Sequence, residues 1–77
     1  MVNEEIQKYQ RLLMQYFRNN FPEKLKYQPK VIEVNRDNVV FGMMKCMGRM
    51  RISKRTLNTN YNQYKELKIK SINLKNV

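Results

Sequence analysis

The chain has no histidine, a single cysteine, two glycines, two prolines and only six acidic residues among 77. Each shortage excludes something. Without histidine the commonest general base and the commonest metal ligand are missing. The lone Cys46 forms no internal disulfide and no cysteine-based zinc site. With no histidine to activate it, Cys46 reads as a small core residue of a strand rather than a nucleophile. Gly42 and Gly48 lack any phosphate-loop context; Gly42, inside a strand, suggests a bulge or a close backbone approach. Glu4 and Glu5 belong to a helix start, and Glu23, Glu33, Asp37 and Glu66 are scattered among cations, so no two-metal cluster is in view. No apolar run reaches the ~18 residues of a membrane span, and MVNEEIQKYQ lacks the positive start and apolar core of a secretion signal. These absences predict no catalytic residue, no metal, no cofactor and no membrane partner, in a cytoplasmic, non-enzymatic protein of a bacterial or host cell.

Positive charge is abundant. Sixteen Lys and Arg against six Asp and Glu give a formal net charge of +10. Residues 1–35 hold six basic and four acidic side chains, a balance of +2; residues 36–77 hold ten and two, a balance of +8. Such a concentration repels itself unless an anion is near; the candidates are nucleic acid, an anionic membrane surface or an acidic protein patch. The length suits one small domain. Chains of this size bury only about 60% of their unfolded surface, so a surface site is expected rather than a deep cavity.

The periodicity predicts a helix over 4–19. Asn3 is a suitable N-cap, Glu4 and Glu5 complement the helix dipole, and Ile6, Tyr9, Leu13, Tyr16 and Phe17 recur at three- and four-residue steps. Phe21-Pro22 ends it, and residues 21–29 read as a connector. β-Branched Lys30–Val34 predicts a strand, Asn35–Asn38 a turn, Val39–Cys46 a second strand, and Met50 to about residue 54 a third. With Met47-Gly48 as the hairpin tip, Cys46 would face Arg49 and Met44 would face Arg51. Phe41, Met43, Met50 and Ile52 would then share the core face, leaving Arg49 and Arg51 outward. Residues 56–63 read as polar and turn-like. For 64–74, Leu67 and Ile69 alternate with Lys68 and Lys70 as in a strand, while Tyr61, Tyr64, Leu67, Ser71 and Leu74 fit helical steps; the strand is slightly favoured. The expected fold class is α+β: an N-terminal amphipathic helix packed on a small antiparallel β-meander, followed by a C-terminal strand or helix.

Phe17, Phe21-Pro22, Val31–Val34, Gly42 and Arg51-Ile52-Ser53 with Leu57 carry a resemblance to the N-terminal half of a SprT-like (Spartan-type) metalloprotease domain, over residues 16–57. That resemblance implies a similar scaffold, in a family whose members often act at DNA. The family's HExxH zinc motif would fall on a helix after the leucine; with no histidine in this chain, no catalytic residue carries over.

The leading expectation is a nucleic-acid-binding module for DNA or RNA, acting through a cationic hairpin face and a basic C-terminal segment. Its candidate contacts are Lys45, Arg49, Arg51, Lys54, Arg55, Lys65, Lys68 and Lys70, with Tyr61 and Tyr64 as stacking platforms. For each lysine the plain alternative is a solvated charge. Arginine forks on strands suit phosphate best. A second expectation is a phage-encoded, anti-CRISPR-like inhibitor of a nucleoprotein complex that blocks its nucleic-acid channel. A third is a subunit of a ribosome or polymerase whose tail orders on RNA. An unpaired edge strand or exposed Met44 leaves room for a homodimer.

Overall fold

The computed structural model describes residues 3–45 and 48–75, with side chains given as far as Leu67 in the last helix. Helix α1 (Glu4–Asn20) leads through a 3₁₀ segment (Pro22–Tyr27) to strands β1 (Lys30–Val34), β2 (Asn38–Gly42) and β3 (Met50–Ser53), then to helix α2 (Lys54–Lys75). The strands form an antiparallel meander in the order β1-β2-β3. The α+β class therefore holds, with a helix as the C-terminal element.

Asn3 caps α1 as expected, its Oδ1 accepting from Glu5 N at 2.9 Å. The apolar stripe of α1 lies on the inner face of the sheet. Tyr9, Leu12, Leu13 and Phe17 form one core with Val31, Val39, Phe41 and Leu57, and Leu13, Val39 and Leu57 are fully buried. Phe17 meets Phe41 edge-on, with ring centroids 5.6 Å apart, a favoured aromatic geometry.

Several expectations change. β2 stops at Gly42 instead of reaching Cys46, which lies with Met47 outside the described residues. Phe41 pairs with Met50 and Val40 with Arg51, so Met44 does not face Arg51 and the tip is not a two-residue Met47-Gly48 turn. The connecting loop is longer, and the register has moved by an even number of residues. Faces are exchanged only by an odd slip, so Phe41, Met50 and Ile52 still point to the core. Arg49 precedes β3 and sits in the loop rather than on a strand. Lys54 is the first residue of α2, not a strand end.

The region read as a turn followed by a strand, 56–63 and 64–74, is one continuous helix. Ser53 starts it. Its Oγ accepts from Thr56 N at 3.1 Å and pairs with Thr56 Oγ1 at 2.7 Å, an N-cap arrangement. Asn and Thr are weak helix formers, which hid this element. Leu57 supplies the apolar anchor.

The outer sheet face carries no helix. Ile32 alternates onto it from core-facing Val31, and a bulge between Val31 and Glu33 puts Glu33 on the same side; Ile32 Cδ1 lies 3.2 Å from where a Cβ on Gly42 would be. The close neighbour of Gly42 is thus a side chain rather than the backbone expected. Val40, on this open face, is buried between its cross-strand neighbours Glu33 and Arg51.

Helices α1 and α2 run in the same direction. Glu5 and Tyr9 meet Lys54, while Asn19 and Asn20 meet Asn60. α1 ends beside Asn60 and Gln63; α2 continues to Lys75, giving the molecule a long axis of 48 Å against 27 and 23 Å.

Candidate nucleic-acid interface

The fold distributes the expected contact residues over separate places. Lys45 is exposed in the turn after β2, with φ 67°, and Arg49 is exposed in the same loop. Arg51 is exposed on the outer sheet face. Arg55, Tyr61, Tyr64 and Lys65 lie on α2, on the other side of the sheet and beyond the opposite end of β3. Lys68 and Lys70 are on the same helix, their side chains outside the described residues. The hairpin therefore presents Arg51 opposite an apolar Val40, with Lys45 and Arg49 displaced into the loop.

Lys54 is occupied within the chain. Its Nζ lies 3.3 Å from Glu5 Oε1 and 5.2 Å from the Tyr9 ring centroid, and its side chain is 19% exposed. Tyr64 is half-buried. Tyr61 is more open, at 37%, with Lys65 Nζ 5.4 Å from its ring centroid.

The helices bring together residues the sequence reading did not single out. An open groove of about 490 Å³ runs between α1 and α2, lined by Lys8, Arg11 and Gln15 on one side and Asn58, Tyr61 and Asn62 on the other, with Leu12 at its floor. Among the described residues no acidic side chain lines it. Gln15 Nε2 is buried there and has no hydrogen-bond partner among the described residues. Lys8, Arg11, Gln15 and Arg18 follow three- and four-residue steps on the exposed side of α1. That spacing was the available signal. It was masked because Glu4, Glu5, Glu23 and Glu33 cancel these cations in a half-chain sum, although none of the four lines the groove.

A second groove, beside the first along the helix pair, is lined by Tyr16, Asn20, Arg55, Thr59, Asn60 and Gln63, and has a volume of about 320 Å³. Asn60 Oδ1 accepts there from Asn20 Nδ2 at 3.2 Å. Among the described residues there is no group of three or more His, Cys, Asp or Glu side chains placed to hold a metal. No helix among them is long and apolar enough to cross a membrane.

No family model, no curated protein and no solved structure matches this chain.

Proposed function

We propose that the protein is a non-enzymatic nucleic-acid-binding module whose contact surface is the exposed side of the α1–α2 pair. The observation that carries this is the α1–α2 groove, which offers two cations, three amide side chains and an exposed tyrosine with no lining acid among the described residues. Cations meet phosphates, the amides of Gln15, Asn58 and Asn62 meet sugar or base edges, and Tyr61 offers a π-face to an unpaired base. The basic run of α2 past the end of α1, with Lys65, Lys68 and Lys70, extends the track along a strand. The hairpin cations Lys45, Arg49 and Arg51 are secondary contacts at most, because none of them lines this groove.

The test is fluorescence anisotropy with a labelled single-stranded oligonucleotide across a salt series. Each phosphate contact on a single strand adds about −0.7 to the slope of log K against log salt. Replacing Lys8 and Arg11 with Gln should flatten that slope by about 1.4 and weaken binding by at least about tenfold. Replacing Arg49 and Arg51 with Gln should change both less. A larger loss from the arginine pair would return the site to the hairpin, and a wild-type slope near zero would remove nucleic acid altogether.

A further inference from the structure

On the other side of α1 lies a groove of different character. It has a volume of about 720 Å³ and runs between α1 and the segment that leads into β1. Ile6, Met14, Leu25 and Val31 make its floor, and Arg11 and Lys30 stand at its margins. We propose that this groove docks an acidic amphipathic segment of a partner protein, on a surface that shares Arg11 alone with the nucleic-acid one.

Met14 supports a docking role. It is half-buried, yet it is not among the side chains packed on the core, unlike Ile6 and Leu25. A flexible, polarisable thioether held beside an apolar cleft suits an adaptable binding surface. The edge of β1 decides how a partner binds. Gln10 Nε2 donates to Pro29 O at 2.9 Å, and Gln10 Oε1 accepts from Val31 N at 2.7 Å. This side-chain amide takes the place of a neighbouring strand, so a partner cannot add a strand at Pro29–Val31. Docking must rely on apolar side chains inserted over Met14 and Val31, as an amphipathic helix inserts its anchors into a groove.

Charge selects among such partners. Arg11 and Lys30 flank the cleft, and no acidic side chain among the described residues lines it. A segment with carboxylates beside its apolar anchors is therefore favoured both in encounter and in place. A second copy is a poor occupant. The chain carries +10, and its own apolar stretches are interleaved with Lys and Arg, so two copies repel.

The experiment is a display selection of random peptides of about 16 residues against the whole chain. One selected peptide is then synthesised and measured with three proteins: wild type, Met14→Gln and Lys30→Gln. The winners should carry two large apolar side chains three or four positions apart and an excess of Asp and Glu. Met14→Gln should weaken the synthesised peptide by about tenfold and Lys30→Gln by less, with circular dichroism and oligonucleotide binding unchanged in both variants. No enriched peptide, winners that are acidic without an apolar pair, or affinity indifferent to Met14→Gln would each overturn the docking site. Loss of oligonucleotide binding by the wild type would sink the nucleic-acid reading and leave this one standing.

Discussion

The two helices lie side by side in the same direction, yet they are held by different means. α1, of 17 residues, buries Tyr9, Leu12, Leu13 and Phe17 against the sheet. α2 is longer, at 22 residues, and among its described side chains buries Leu57 alone. Its other ties seen among the described side chains include polar ones: the Ser53 cap, Lys54 on Glu5 and Tyr9, and Asn60 with Asn19 and Asn20. The difference separates their tasks. α1 organises the core, while α2 is anchored at its first turns and leaves much of its described surface open, with Leu67 67% exposed.

The sharpest way to break this comparison is to remove the single anchor. Leu57→Ala leaves a cavity at a fully buried site, and such changes cost about 2–5 kcal/mol. Leu13→Ala should cost a similar amount. The two should differ in what is lost. With Leu57→Ala, hydrogen exchange should quicken first in α2, as a local opening. With Leu13→Ala it should quicken throughout α1 and the sheet together. Equal exchange profiles in the two variants would mean that α2 is no more separable than α1.

The same contrast explains what the sequence made readable. The stripe from Ile6 to Phe17 and the β-branched run Lys30–Val34 announce their structures because the core requires those patterns. The register of β2 and β3 was only half readable: alternation assigned the faces of Phe41, Met50 and Ile52, but nothing in Met-Met-Lys-Cys-Met-Gly disclosed the length of the loop. Residues 54–63 carry one core residue, so no apolar period could appear, and their Asn and Thr content argued for a turn. The decisive signal was Ser53 with Thr56, a cap that is weak evidence without the apolar run that normally follows it. The α1–α2 groove stayed hidden for a related reason. It is made by pairing two helices, one of which was not recognised, and Lys8 and Arg11 acquire meaning only when Tyr61 stands opposite them.

A smaller effect sharpens the role of that cap. Ser53→Ala should destabilise the protein by about 1 kcal/mol, the usual cost of losing an N-cap side chain, and Ser53→Asp should restore most of it. Chemical denaturation reads the total, and the exchange rate of the Thr56 amide reads its location. If Ser53→Ala is silent in both, Leu57 alone starts α2.

The smallest effect concerns Lys54, where sequence and structure assign different partners. Its salt bridge joins a side chain 19% exposed to a Glu5 side chain 53% exposed, and pairs open to water contribute about 0–1 kcal/mol. Its position over Tyr9 adds about 0.5–1 kcal/mol when such contacts are exposed. Lys54→Gln should therefore cost no more than about 1 kcal/mol, measured by denaturation at low salt, and less at high salt because the ionic part is screened. The backbone bond from Lys54 N to Asp37 O, at 2.9 Å, survives the substitution. Oligonucleotide affinity should barely move, since Glu5 already neutralises this cation and Tyr9 is buried beneath it. Lys8→Gln, a few ångströms away on the same tyrosine with its Nζ 5.5 Å from the ring, removes a cation that has a place in the α1–α2 groove and should weaken binding. If Lys54→Gln loses more affinity than Lys8→Gln, the Glu5 pair opens on binding and the contact surface extends to the first turn of α2. If it loses more stability than Ser53→Ala, polar ties and not Leu57 hold the second helix in place.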